Sequence, residues 1–142
     1  MTTAIDTTTT IAAPPEAVWA ALTDWSLAPR WMPGVTAMRG RLSAGAEVTF
    51  TVRGKERTAT TERLDAPRAL ALLSRSGPVS AVYTYTLTPV VAGTELRLVA
   101  DVGVRGPLAL LAGVIRRSIA KEDGVQPERL RAVVEAVSRP AG

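Results

Sequence analysis

Between Thr36 and Val102 the apolar residues of this chain recur at every second position, whereas on either side of that block they recur at helical spacing. Side chains alternate across a strand, so a period of two marks strands with one buried and one wet face. Met38 and Leu42 fall in the first strand of the block, closed by the turn Ser43-Ala44-Gly45. Val48, Phe50 and Val52 then alternate with Glu47, Thr49, Thr51 and Arg53, and Gly54-Lys55 marks a tight turn into a returning strand from Arg57 to Leu64. Asp65-Ala66-Pro67-Arg68 turns the chain before a strand from Ala69 to Arg75, and Ser76-Gly77-Pro78 leads into another from Val79 to Pro89. After the Ala92-Gly93 turn, Leu96, Leu98, Ala100 and Val102 point one way while Glu95, Arg97 and Asp101 point the other. Six strands joined by short turns read as an antiparallel meander.

The flanks supply the rest of the architecture. Thr3 to Ala12 is rich in β-branched residues and reads as a further strand. A helix follows from Pro15 to Thr23, because proline at the first helical position loses no hydrogen bond and Glu16 suits the positive helix start. Asp24 or Ser26 caps a second short helix, and Pro33-Gly34 turns the chain into the meander. All three tryptophans, Trp19, Trp25 and Trp31, lie in this stretch. At the other end Gly106-Pro107 opens a helical segment to about Ser138, with one apolar stripe of Leu108, Leu111, Ala112, Ile115 and Ile119 and a second of Leu130, Val133 and Val137. The two stripes are in phase, as one helix bent at Pro127 requires; a break near Gly124 is the alternative. A lone sheet must cover its apolar face, and only this segment is long enough to do so.

The run Ala13 to Val35, APPEAVWAALTDWSLAPRWMPGV, resembles the N-terminal signature of the START-like, or SRPBCC, superfamily in its bacterial polyketide cyclase/dehydrase and lipid-transport branch. Leu64-Asp65-Ala66-Pro67 is similar to that family's strand end, and Gly93-Thr94-Glu95-Leu96 to its hairpin. The resemblance covers about the whole chain and implies one domain, residues 1–142, of class α+β. Its fold is the helix grip: a curved antiparallel sheet of about seven strands, two short helices after the first, and a long C-terminal helix over the concave face. The gap between helix and sheet is the family's usual cavity. Superfamily members share that cavity and not a reaction, so the resemblance speaks for fold more than for function.

Composition narrows the chemistry. The chain has no cysteine and no histidine, which removes disulfides, thiolate nucleophiles, the commonest metal ligands and a Ser-His-Asp arrangement. No metal and no cofactor is expected, and any catalysis would fall to carboxylates, Tyr, Lys, Arg or water. The net charge of +4 is dispersed, its longest basic run being Arg116-Arg117, without the clustered stripe and interleaved aromatics of a nucleic-acid surface. No apolar run approaches the roughly 20 residues of a membrane span. The Thr-rich start lacks a signal peptide's pattern, so a cytoplasmic location is expected.

By alternation the sheet offers Phe50, Tyr83, Tyr85, Leu87, Leu96 and Leu98 to the covered face, and the helix offers Leu111, Ile115 and Ile119. Trp31 either lines the cavity mouth or packs on the sheet. With one Phe and two Tyr in the chain, few bulky groups exist to fill a helix-on-sheet gap. The expected ligand site is therefore Trp31, Phe50, Tyr83, Tyr85, Leu111, Ile115 and Ile119, and the expected partner a hydrophobic small molecule: lipid, polyketide or aromatic. Glu122 and Gln126 fall near the middle of the apolar stripe, either because the helix bends there and emerges into water or because Glu122 hangs into the cavity. The first is the preferred account. Glu62 is a second candidate acid, because the facing of Thr58 to Leu64 is ambiguous. Whether the chain is an enzyme stays open. A cyclase or dehydratase would draw on Glu122, Glu62, Tyr83 and Tyr85 as acid and base groups; an interaction module would use the outer sheet face. Monomer and homodimer are both compatible with the sequence.

Overall fold

The computed structural model describes residues 1–138; the last four positions of the domain read from the sequence lie outside the described residues. Seven antiparallel strands form one sheet: β1 (Thr2–Ile11), β2 (Val35–Arg39), β3 (Glu47–Val52), β4 (Lys55–Asp65), β5 (Ala69–Ser76), β6 (Val79–Val90) and β7 (Gly93–Val104). Their order across the sheet is β1-β7-β6-β5-β4-β3-β2, so the meander runs in sequence order and β1 closes on its last strand. Each strand is within a few residues of its expected span. Leu42 is the exception, since β2 ends at Arg39.

Helix α1 (Pro15–Leu22) starts with proline in its first turn, and Asp24 caps a 3₁₀ turn (Trp25–Leu27), accepting from the Ser26 N–H at 3.1 Å and its hydroxyl at 2.6 Å. The single turn α2 (Ala28–Trp31) follows. The Gly93-Thr94 pair seen in the sequence has a steric explanation. A Cβ on Gly93 would lie 2.1 Å from the Ile11 carbonyl oxygen, and the buried Thr94 hydroxyl donates to the Ala13 carbonyl at 2.7 Å. Both tie the end of β1 to the β6–β7 hairpin.

The C-terminal segment departs from the expected continuous helix. A 3₁₀ stretch (Gly106–Leu111) leads into α3 (Ala112–Asp123); the chain then breaks at Gly124-Val125, and α4 (Gln126–Ser138) begins afresh. Pro127 is the second residue of α4, where its missing N–H has no helical acceptor to lose. It therefore starts a helix where a bend in one had been expected.

Helix α4 packs on β1, α1 and α2 over one end of the concave face. There Leu87, Leu96, Leu98, Ile11, Val18, Leu22, Trp31 and Leu130 are buried together as the main core. Helix α3 lies against β1 and β7 and buries no residue fully. Among the described residues, no helix is long and apolar enough to cross a membrane.

Candidate functional site

The concave face is filled at the α4 end and hollow at the other. Along β6 the inward positions run Leu87, Tyr85, Tyr83, Ala81; along β5 they run Leu70, Leu72, Ser74, Ser76. Both series end in small side chains at the same end of the sheet, and Ala59 of β4 sits beside Ser74. The result is a cavity of about 280 Å³. Its apolar wall includes Met32, Met38, Phe50, Val52, Leu72 and Ile119.

Of the residues expected to bind a ligand, Phe50, Tyr83, Tyr85 and Ile119 are brought together around this cavity. Trp31 is not among its walls: it is fully buried in the core, edge-on to Tyr85 with ring centroids 5.8 Å apart and planes at 89°. Leu111 and Ile115 also lie outside the cavity lining. Leu111 ends the 3₁₀ stretch half exposed, because three residues per turn do not continue the phase of α3.

The polar groups of the cavity form paired sets. The Tyr85 hydroxyl donates to Gln126 Oε1 at 2.5 Å, and the Tyr83 hydroxyl donates to the Asp123 carboxylate. Burial, with the Asp123 charge beside them, raises both phenols well above their usual range, so both stay protonated donors at neutral pH. Burial also raises the Asp123 carboxyl above its ordinary value, against the opposing pull of the Tyr83 and Gln126 hydrogen bonds and the Arg53 charge. Gln126 is thus buried, contrary to the preferred expectation that its turn emerges into water. Its amide is satisfied by Tyr85 and Asp123, which is what makes burial affordable there.

Glu122 combines the two accounts drawn from the sequence, facing the cavity while remaining part exposed. It lines the cavity, its side chain is 30% exposed, and it forms an ion pair with Arg53. Arg53 can reach it because it occupies the first place of a two-residue hairpin turn, with φ of 50° ahead of Gly54 at 77°, the twist that matches paired strands. Glu62 is exposed. A bulge falls between Thr61 and Arg63, so Arg57, Ala59 and Thr61 face inward before it and Leu64 after it. The facing of this strand was ambiguous because both parities are realised, on either side of Glu62.

Three charged cavity groups were not singled out in the sequence: Asp123, Arg57 and Arg53, the last of which the alternation had assigned to the wet face of its strand. Asp123 was legible in principle as a carboxylate directly before a glycine break. Arg57, half-buried on β4, donates to the Ser76 hydroxyl. No carboxylate pairs with it among the described residues. Nor do the described residues hold a cluster of three potential metal ligands.

Solved structures with this arrangement are numerous. The protein MLL2253 of Mesorhizobium loti superposes with a TM-score of 0.76 at 22% identity, covering 94% of this chain and 98% of that one. TTHA0849 of Thermus thermophilus gives 0.73 at 19% identity, over 95% and 99%. The di-domain ARO/CYC protein BexL of the BE-7585A biosynthetic pathway gives 0.77 at 20% identity, over 95% of this chain and 47% of that one. At such identities these likenesses establish the fold, which is the helix grip. No curated protein matches the sequence. The sequence profile described as polyketide cyclase / dehydrase and lipid transport matches residues 2–135. With its curved sheet, short opening helices and hollow concave face, the chain belongs to that polyketide cyclase/dehydrase and lipid-transport family.

Proposed function

We propose that this protein binds one small hydrophobic molecule between β3–β6 and α3, and that Arg57 meets an acidic group on it. The observation that carries the reading is the cavity itself, an apolar hollow in which the ionisable groups other than Arg57 are already matched. Tyr83 is tied to Asp123, Tyr85 to Gln126 and Arg53 to Glu122. Arg57 alone faces the hollow as a charge with only a neutral hydroxyl for partner among the described residues. A cation at an apolar wall favours a ligand that brings the opposite charge, because a charge pair is stronger there than in water. The volume corresponds to roughly nine waters at ~30 Å³ each and lies near the small end of ligand pockets, about 300–1,000 Å³. A fused-ring aromatic acid or a medium-length acyl chain fits that size, whereas a two-chain lipid exceeds it.

Calorimetric titration with decanoate and 1-decanol tests this reading. Decanoate is expected to bind at least tenfold more tightly than the alcohol, and Arg57→Gln to abolish that preference while leaving alcohol binding in place. Ile119→Trp, which fills the hollow from a helix without deeply buried residues, should weaken both. Failure of wild type to bind any of a broad panel of apolar molecules would sink the binding function outright.

One observation favours a second reading, acid–base chemistry on a polyketide-like substrate. Asp123 is a carboxyl raised by burial, facing the cavity and hydrogen-bonded to a phenol, which is the environment of a proton-transfer group. Under that reading Asp123→Asn abolishes dehydration or cyclisation of a bound poly-β-ketone while its affinity persists.

A further inference from the structure

From Val102 to Lys121 the chain carries Arg105, Arg116, Arg117 and Lys121 and no Asp or Glu. Within that run four large apolar side chains stand open to solvent: Leu110 at 94%, Val114 at 60%, Leu111 at 50% and Leu108 at 42% exposure. Single exposed leucines are ordinary on a protein surface; four large aliphatic groups within seven residues are a patch. The 3₁₀ stretch brings Leu108 and Leu111, three apart, onto one side of a short rod. None of the four cations forms an ion pair among the described residues. On β1 and β7, against which α3 packs, Asp6 is engaged by Arg97 at 2.8–2.9 Å and Asp101 accepts from the Thr3 hydroxyl at 2.7 Å.

We infer that this segment docks on an anionic lipid surface, its leucines entering the headgroup–acyl boundary while the arginines and Lys121 meet lipid phosphates. Apolar residues set among uncompensated cations are the composition that such a surface selects. A second copy of the chain fits less well. A two-fold contact through this patch would set the same cations against each other, with no acid in the run to meet them. The location gives docking a consequence. The segment leaves the sheet where the Arg105 N–H donates to the Pro78 carbonyl at 2.9 Å, two residues from the cavity-lining Ser76. At its far end α3 contributes Ile119, Glu122 and Asp123 to the cavity wall. The docking element and the cavity's cover are therefore one piece of chain. The inference stands whatever the cavity holds.

Co-sedimentation of the full chain with vesicles tests it, comparing pure phosphatidylcholine with a mixture containing 30% phosphatidylglycerol. Partitioning onto the anionic vesicles is expected to exceed that onto neutral ones at least tenfold and to fall steeply with added salt. Leu110→Glu should reduce it at least tenfold with an unchanged melting temperature, since that side chain is almost wholly exposed. Arg117→Gln with Lys121→Gln should weaken binding by roughly fivefold for each charge removed and flatten the salt dependence. Equal or absent partitioning on the two vesicle types would overturn the inference, as would binding that Leu110→Glu leaves intact. Self-association in the ultracentrifuge that Leu110→Glu abolishes, without any preference for anionic vesicles, would assign the patch to a second copy instead.

Discussion

Helices α3 and α4 are nearly equal in length, adjacent in sequence and laid over the same sheet, yet they make opposite use of it. Helix α4 buries Gln126, Leu130, Val133 and Val134 and touches β1, α1 and α2. Helix α3 buries nothing fully, and Ile115 and Ile119 are only half covered. The difference originates in the strands. Under α4 the sheet presents Leu87, Leu96 and Leu98, which interdigitate with helix side chains; towards the other end it presents Ala81, Ala59, Ser74 and Ser76, which cannot reach across. Buried side chains are thereby concentrated in one half of the molecule and empty volume in the other.

The sharpest way to break this comparison is to truncate one residue on each helix. Leu130→Ala removes a side chain with no exposure and should cost about 2–5 kcal/mol in denaturant unfolding. Ile115→Ala should cost about 1 kcal/mol or less, because its site is already part solvent. Equal losses would mean that α3 is as firmly anchored as α4.

Gln126→Ala comes next in size. It strands the fully buried Tyr85 hydroxyl without its acceptor, for about 1–3 kcal/mol. Adding Tyr85→Phe should recover part of that loss, which a double-mutant cycle would measure.

The Arg53–Glu122 pair joins the β3–β4 hairpin to α3 across the cavity mouth. Its two partners are substantially exposed, so Glu122→Gln should lower stability by no more than about 1 kcal/mol. Amide exchange should nonetheless quicken in α3 and not in α4, which sharpens the distinction between cover and anchor.

The smallest expected effect is a pH dependence. Asp123 has a carboxyl raised above 3.8, chiefly by burial. The folded chain thus holds that proton more tightly than the unfolded chain does. The associated stability is complete below the unfolded value and is lost as pH rises through the raised one. Asp123→Asn, which cannot ionise, should therefore gain on wild type as pH increases from about 4 towards 7. A constant difference across that range would show that Asp123 carries no such coupling.

Much of this was written locally in the chain. Although the burial of Gln126 ran against the preferred reading of its turn, the alternation from Thr36 to Val102 dictated six strands and Asp24 its cap, because each depends only on neighbours in sequence and on the period of a strand or a helix. For the same reason Phe50, Tyr83, Tyr85 and Ile119 could be assigned to the covered face. What local periodicity cannot express is how much of that face is filled. That depends on side chains from β4, β5 and β6 that meet only when the meander closes, and on the bulge at Glu62, which shifts the parity of half a strand. Nor could it show that Pro127 starts a helix: the break at Gly124 is compatible with the sequence either way, and in the folded chain it sets Gln126 against Tyr85 and Asp123. The chain itself determined a curved sheet with one apolar face and the helices to cover it. Only tertiary packing decided that α4 would fill its half while α3 roofed a hollow, because a cavity is a deficit of side-chain volume summed over residues far apart in sequence.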